Sequence, residues 1–305
     1  MISQFIAALL VGQVTPPANG YMQSTTTPTG VVEMRTGAHK FTAEGKPDVW
    51  LVGAMHVGNK QYYKDIQTLL DSQDTVLFEG VRPGKNAPKT PPPAKTDANA
   101  PKPIYKVLSD ALGLEFQLTE IKYDRPGWVN SDLSMDELDR INKEKGGGKH
   151  TGFDTVKQLL DPNSPMAGML TTMLSTATPG VKEALKLIIV KKVAAGETPG
   201  LDSTTQDVIL HARNDAALEV FDKTVKKENP PKSIGIFYGA MHMPGIEKTL
   251  VEKYGYKQTD AKWFLAASAD PKKLDDQGKA LYNMFEQSNA PKKTGGNLLA
   301  AALPH

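Results

Sequence analysis

The sequence predicts an α/β protein in which two related strand–loop–helix–strand halves form a central sheet. Helices are expected around the sheet, and a helical insertion separates the halves. Three observations support this fold class. The tetrapeptide Gly-Ala-Met-His occurs twice, at residues 53–56 and 239–242. Each copy follows a short apolar run of the kind found in buried strands. Each copy also precedes a helical pattern and a second apolar run, so both halves repeat one order of elements.

The individual elements of the two halves can be assigned from their apolar spacing. The first half has apolar runs at residues 49–52 and 75–78, and the second half has them at residues 234–238 and 263–266. Between the runs, the apolar residues are spaced to share one helix face, namely Tyr63, Ile66, Leu69 and Leu70 in the first half and Ile246, Leu250 and Val251 in the second. Both motif histidines are therefore expected just beyond the end of a strand.

This position has a chemical meaning. Ligands and catalytic groups of parallel α/β sheets collect beyond the carboxyl ends of the strands. The motif glycine permits a tight turn, and the histidine offers a nitrogen that binds a metal or moves a proton near neutral pH. Two halves related by a local dyad would direct His56 and His242 into one crevice. Glu79 follows the 75–78 strand, and zinc and harder divalent cations accept a carboxylate beside imidazole.

Composition narrows the function classes. The 305 residues include 36 basic and 34 acidic side chains, for a net charge of +2. This balance gives no electrostatic reason to expect nucleic acid or an anionic membrane as partner. The absence of cysteine excludes disulfides, thiol nucleophiles and cysteine-ligated zinc. A Gly-x-Ser-x-Gly motif is also absent from the sequence, which disfavours a serine hydrolase.

The chain is predicted to be one α/β domain, residues 21–289, behind an export signal at residues 1–20. The signal is indicated by an apolar run and by small residues at a plausible cleavage point, although no Lys or Arg precedes the run. A buried first strand or helix is the alternative. We therefore expect an exported protein, periplasmic or secreted, without a membrane span after signal removal. Residues 290–305 are predicted to be a flexible tail.

Several segments inside the domain have their own signatures. Residues 83–103 are of low complexity and predict a flexible loop, whereas residues 134–200 predict a helical insertion. Ser134 and Glu137 form a capping-box pattern where that insertion begins. The remaining predictions are a strand at residues 31–35 pairing with the strand at 49–52, a helix around 105–114, a strand at 116–121, a helix over 204–227 with His211 facing away from Arg213, and a closing helix at 274–285.

The paired Gly-x-x-His motifs, with a Val-Leu-Phe-Glu strand after the first, resemble the Tiki/TraB superfamily, also called the TraB/PrgY/GumN family. The resemblance extends from about residue 31 to residue 267. Residues 130–133 are similar to a His-Ala-Asp-Leu-like segment of some members, with Asn130 where a histidine is common. The helix carrying Arg213 and Asn214 also matches an arginine-containing helix of the family. The resemblance implies an α/β fold of two repeat halves. For the Tiki branch, it implies a divalent-metal-dependent protease.

Site roles follow from the resemblance. It implies that His56 and His242 bind a metal, with Mn²⁺ or Co²⁺ favoured and Zn²⁺ as an alternative. Glu79 would be a third ligand or a general base. Asp132 would complete the coordination shell or orient a histidine, and Arg213 would hold a substrate carboxylate or carbonyl, or stabilise an oxyanion. Asn214 and Asn130 would join Arg213 in binding substrate.

The expected function is that of a metal-dependent hydrolase acting on a peptide or protein. Two alternatives remain open at this level. One is a metal-free, esterase-like hydrolase with a histidine base oriented by Glu79. The other is a protein that binds a peptide or another ligand in the crevice without turning it over. The sequence does not specify the oligomeric state.

Overall fold

The protein is described here from a computed structural model, which covers residues 20–84, 104–146, 161–194 and 207–289. Its strands are β1 (Met22–Thr26), β2 (Val32–Thr42), β3 (Asp48–Ala54), β4 (Val57–Gly58), β5 (Thr75–Phe78), β6 (Glu115–Phe116), β7 (Trp128–Asn130), β8 (Ser233–Gly239) and β9 (Lys257–Ala269). The predicted export signal and tail, and nearly all of the predicted low-complexity loop, lie outside the described residues.

The helices are distributed along the whole described chain. They are α1 (Lys60–Asp71), α2 (Ile104–Leu112), α3 (Gln117–Glu120), α4 (Met135–Glu144), α5 (Pro165–Thr176), α6 (Pro179–Ala194), α7 (Ala212–Val225), α8 (Met243–Glu252) and α9 (Asp276–Asn289). A single π-type turn, Asp207–His211, leads into α7, and a short 3₁₀ turn, Pro271–Lys273, follows β9. No helix in the described ranges is both long and apolar enough to cross a membrane.

A mixed sheet forms the centre of the molecule. Its strand order is β1-β2-β3-β8-β5-β7, and β9 pairs with the other side of β2. Strands β3, β8, β5 and β7 are parallel, whereas β1, β2 and β9 pair antiparallel. The α/β prediction is confirmed at this level. The first motif half runs from β3 through α1 to the parallel strand β5, but the second runs from β8 through α8 to β9 at the antiparallel end.

Helices cover both faces of this sheet. One face packs against α1 and α6, with Ile66 and Leu187 in its core. The other packs against α7 and α8, with Phe221 and Ile246 in its core. Successive residues of the central strands point to opposite faces, so parallel strands covered on both sides must be apolar throughout. This explains the unbroken apolar runs of β3 and β8.

Several local predictions can be compared with the described elements. The capping box that starts α4 is confirmed, since Ser134 Oγ accepts from Glu137 N and the Glu137 carboxylate accepts from Ser134 N. The early strand forms part of β2, but only Ala38–Phe41 of β2 pairs with β3; the predicted residues 32–35 pair with β1 and β9 instead. The strand predicted at residues 116–121 is wrong, because only Glu115–Phe116 is extended and α3 begins at Gln117. There the backbone of Gln117 donates to His56 O instead of continuing a ladder.

Candidate functional site

The two Gly-Ala-Met-His motifs follow neighbouring parallel strands, β3 and β8, and their turns are in direct contact. Ala240 N donates to Ala54 O over 2.9 Å. A Cβ atom placed on Gly53 would lie 3.2 Å from the Cβ atom of Ala240 and 3.2 Å from Gly37 O. The first motif glycine is therefore needed because it lets the second turn approach closely.

His242 is the buried histidine of the pair and stands at the start of α8, with 4% of its surface exposed. Its Nδ1 lies 2.6 Å from Asn214 Oδ1, and Asn214 Nδ2 donates to the carbonyl oxygen of His242 over 3.3 Å. Because the amide nitrogen is used on that carbonyl, Oδ1 accepts the proton of Nδ1. The lone pair of the neutral ring is then on Nε2.

His56 has a similar arrangement with a different partner. Its Nδ1 lies 3.1 Å from Gln117 Oε1, while Gln117 Nε2 donates to Tyr123 OH over 2.8 Å. The ring is partly exposed and packs against Tyr105, with ring centroids 4.7 Å apart. A carboxamide oxygen thus holds Nδ1 of each motif histidine and leaves both Nε2 atoms as acceptors or metal ligands.

A buried ion cluster lies beside His242. Arg213 on α7 contacts Asp132 through Nε and Nη2, at 2.9 Å and 2.6 Å. Its Nη2 is also 2.6 Å from Glu79 Oε1. Nε2 of His242 is 3.5 Å from Arg213 Nη1 and 3.7 Å from Glu79 Oε1. Because these contacts join residues beyond β5, β7 and β8 to α7, the carboxyl edge of the parallel strands holds one connected polar site.

Asp132 and Glu79 differ in how their oxygens are used. Asp132 accepts four hydrogen bonds, two from Arg213 and one each from the backbone of Gly80 and Leu133. Glu79 accepts from Arg213 on one oxygen and from Gly239 N, at 2.6 Å, on the other. Both oxygens of Asp132 are therefore saturated, whereas Oε1 of Glu79 still faces His242.

The electrostatic environment sets the charges of this site. Burial raises the pKa of Glu79, but Arg213, His242, His56 and the Gly239 N–H together lower it further, so its pKa lies well below the usual range. Burial lowers the pKa of His242 to about 4, against the opposing effect of Glu79. Burial lowers the pKa of Arg213, but Glu79 and Asp132 outweigh this effect and raise it overall. At neutral pH the cluster therefore contains an ionised Glu79, a protonated Arg213 and a neutral His242.

Most of the predicted site residues lie close together in the structure. His56 lies close enough to influence the pKa of both Glu79 and His242. Asn130 uses its side chain on the backbone, donating to Gly80 O at 2.7 Å and accepting from Asp132 N at 3.0 Å. It therefore fastens the loop that carries Asp132. His211 is exposed whereas Arg213 is buried, in agreement with the prediction that the two side chains face away from each other.

Sequence reasoning missed the residues that complete the His56 side, namely Gln117, Tyr105 and Tyr123. The alternating pattern around Gln117 predicts a strand that does not form, and the spacing of Tyr105 predicts only an apolar position on a helix. The sequence contains no motif that relates any of these three residues to His56. Tyr105 and Tyr123 are partly buried, and burial raises the pKa of both above the usual range, so their hydroxyls remain protonated at neutral pH.

The geometry of the side chains bears on whether this site can hold a metal ion. Within the described ranges, no group of three or more His, Asp or Glu residues is already arranged to hold a metal ion. Two features nevertheless suit a cation. The donors are two imidazole Nε2 atoms and one carboxylate, which transition metals accept. Among the described residues, one guanidinium, that of Arg213, is also shared between two buried carboxylates, Glu79 and Asp132.

Comparison with known protein families, with curated proteins and with solved structures finds no match to this chain. The resemblance to the Tiki/TraB superfamily thus rests on the motif residues themselves.

Proposed function

We propose that this protein is a divalent-metal-dependent hydrolase, most consistent with a peptidase, whose metal is held by Nε2 of His56, Nε2 of His242 and the carboxylate of Glu79. One observation carries the proposal: each motif histidine has its Nδ1 held by a carboxamide oxygen, Gln117 for one and Asn214 for the other. A metal-binding histidine characteristically donates a hydrogen bond from the N–H of its other ring nitrogen, which fixes the tautomer and the ring orientation.

The charge of the crevice supports the same conclusion. Among the described residues, the carboxylates of Glu79 and Asp132 share one positive group, the guanidinium of Arg213. A net negative charge in a buried, low-dielectric site attracts a cation strongly. When bound, such an ion would lower the pKa of a water molecule to about 7 and so supply hydroxide at neutral pH. Mn²⁺, Co²⁺ and Zn²⁺ are the candidates.

Each remaining residue has a role that follows from its contacts. The lowered pKa of Glu79 favours a ligand over a general base, since a base works best with a pKa near the operating pH. Asp132 is saturated by hydrogen bonds, so its role is to position Arg213 rather than to bind the metal. Arg213 would then hold a substrate carbonyl or carboxylate, or stabilise the developing oxyanion. Asn214 orients His242, in place of the substrate contact inferred from the sequence.

The proposal includes membership of the Tiki/TraB superfamily, with two related motif halves and export of the chain. Adjacent placement of the two Gly-Ala-Met-His turns supports the relation between the halves. The Val-Leu-Phe-Glu strand supplies Glu79 to the same edge. A peptide or protein is the proposed substrate class because the family resemblance points to proteolysis.

A second candidate is a hydrolase that needs no metal. It is favoured by the position of Arg213, whose Nη1 lies 3.5 Å from His242 Nε2 while Nη2 pairs with Glu79. A guanidinium in this position would itself stabilise an oxyanion. The partly exposed His56 would serve as the general base.

Metal affinity of the purified full-length chain tests the proposal. After removal of metal by a chelator, Mn²⁺, Co²⁺ and Zn²⁺ are titrated by calorimetry into wild type, His56→Ala, His242→Ala and Glu79→Gln. We expect each variant to lose roughly tenfold or more in affinity. His211→Ala is the matched control, because it removes an exposed histidine just before α7 and should bind like wild type.

Hydrolysis separates the two candidates. A fluorogenic peptide library is assayed with the best-bound metal and again with excess chelator. Activity that requires the metal supports the first candidate, and activity that survives the chelator supports the second. A metal stoichiometry and affinity that both stay at the wild-type level in the two histidine variants would show that the proposed ligands are wrong.

A further inference from the structure

A second polar cavity lies away from the crevice, between β2, β9 and α8. Its volume is about 400 Å³, and its lining includes His39, Glu247, Lys248, Glu252 and Gln258. None of the crevice residues described above lines it. Two carboxylates and one ammonium group therefore meet a histidine in a space large enough for several water molecules.

His39 is the unusual member of this lining. Its side chain is 9% exposed, and Nδ1 is buried with no hydrogen-bond partner in the described part of the chain. Glu247 Oε2 lies 3.9 Å from this nitrogen, too far for a hydrogen bond. A buried polar atom without a partner is costly and rare, so such an atom calls for a missing partner.

Tyr21 positions both of these groups. Its ring packs on the ring of His39, with centroids 4.1 Å apart. Its hydroxyl donates to Glu247 Oε2 over 2.6 Å. The phenol stays protonated, because burial, followed by contact with Glu247, raises its pKa far above the usual range. Tyr21 therefore orients a nitrogen donor and a carboxylate toward each other without competing as a ligand.

We propose that this cavity binds a divalent transition-metal ion through Nδ1 of His39 and Oε2 of Glu247, with water completing the coordination shell. Metal–nitrogen and metal–oxygen bonds are about 2.0–2.2 Å long, so a tetrahedral ion holds two donors about 3.3–3.6 Å apart. The observed separation of 3.9 Å would therefore have to close by roughly half an ångström when the ion binds. An imidazole donor selects zinc, copper, nickel or cobalt over magnesium or calcium.

The surrounding charges agree with a cation. Contact with His39 first, and then with Tyr21, lowers the pKa of Glu247 despite the opposing effect of burial, so this carboxylate is ionised at neutral pH. Glu252 adds a second negative charge to the lining, and Lys248 offsets one of the two. A bridging water in place of the ion is the competing explanation, and it predicts no metal binding here.

Zinc titration distinguishes these explanations. The background is the His56→Ala/His242→Ala variant of the full chain, so the proposed catalytic site does not contribute. We expect this chain to retain one equivalent of Zn²⁺ by calorimetry, with Mg²⁺ as a non-binding control. Adding His39→Ala or Glu247→Gln should abolish that equivalent. Tyr21→Phe keeps the ring but loses the hydroxyl, and should weaken binding roughly tenfold.

Two controls complete the test. Glu252→Gln changes the lining without touching His39, and should alter affinity far less than Glu247→Gln does. Circular dichroism establishes that every variant is folded. The inference is overturned if the background variant binds no Zn²⁺, or if Glu247→Gln and His39→Ala both leave its affinity unchanged. Since the background lacks both crevice histidines, these outcomes are independent of the proposed hydrolase function.

Discussion

The two copies of Gly-Ala-Met-His have identical letters but different surroundings. His242 is buried at the start of α8, beside Arg213 and Glu79, and is held by Asn214 from an adjacent helix. His56 is partly exposed, packs against Tyr105 and is held by Gln117, the first residue of the short helix α3. The repeat therefore fixes the turn and the histidine position, while the fold around each copy decides accessibility and charge.

This difference implies that the two motif histidines have different roles. The buried copy belongs to an electrostatic cluster in which Arg213 pairs with both Glu79 and Asp132. The other copy presents its imidazole near an aromatic wall, where a substrate or water has access. We infer that the second motif establishes the site and that the first motif meets the substrate.

The largest expected effect is on the buried cluster. Arg213→Ala leaves Glu79 and Asp132 buried without their counter-ion, and should lower the free energy of unfolding by about 3–5 kcal/mol. Urea denaturation at pH 7 measures this change. Arg140→Ala, which breaks only an exposed pair with Glu144, should change stability by less than about 1 kcal/mol. Equal effects of the two substitutions would show that the buried cluster beside His242 does not depend on its ion pairs for stability.

The pH dependence of stability should report the buried copy. The pKa of His242 in the folded state is about 4, below its ordinary value of 6.5. Between these values the unfolded chain binds a proton that the folded protein does not, so this contribution is complete above pH 6.5 and is lost as pH falls toward 4. In metal-free protein, wild type should lose about 2 kcal/mol more than His242→Asn between pH 7 and 4.5. Parallel curves for the two proteins would refute this.

The carboxamides that hold the histidines should be equivalent despite their different settings. Asn214→Ala and Gln117→Ala each remove the acceptor for Nδ1, and each should reduce metal affinity roughly 10- to 100-fold. Calorimetry with the metal that wild type prefers is the measurement. A loss confined to Asn214→Ala would mean that only the buried histidine binds the ion.

The smallest expected effect is the difference in stability between alanine substitutions at the two motif glycines. At Gly53 a new methyl group meets backbone atoms of Gly37 and Ala240, which cannot move independently, so Gly53→Ala should cost about 1 kcal/mol or more. At Gly239 the nearest atom, 3.3 Å away, is Glu79 Oε2, a side-chain atom that can shift. Gly239→Ala should therefore affect metal affinity more than stability. Thermal unfolding and calorimetry on both variants would reveal the opposite pattern if it exists.

The sequence predicted the parts of this site that depend on local pattern. Apolar runs of strand length identified β3 and β8, and the capping box identified the start of α4. Glu79 was identifiable because it follows a clear strand. These predictions depend on residues close together in the chain, where periodicity and turn chemistry are sufficient.

The remaining features depend on contacts between distant segments. Gln117 lies 61 positions from His56, and alternating side chains around it favoured a strand that does not form. The saturation of Asp132 by Arg213 is likewise a tertiary property, since the two residues are 81 positions apart. The sequence also gave no reason to place β8 between β3 and β5. Partner choice over such separations is decided by packing, which a single sequence does not reveal.

That placement of β8 has a consequence for how the protein matures. Strands β3 and β5 are synthesised more than 150 positions before the strand that joins them, as their register with Ser233–Gly239 shows. Until that strand emerges from the ribosome, β3 and β5 lack the strand that lies between them. His242, which follows that strand in the chain, is also not yet in place. Folding is then limited by a non-local pairing step, which is slow and exposes unpaired strand edges. The polar site at the carboxyl edge of the parallel strands is therefore completed only after Ser233–Gly239 and the following His242 have been synthesised.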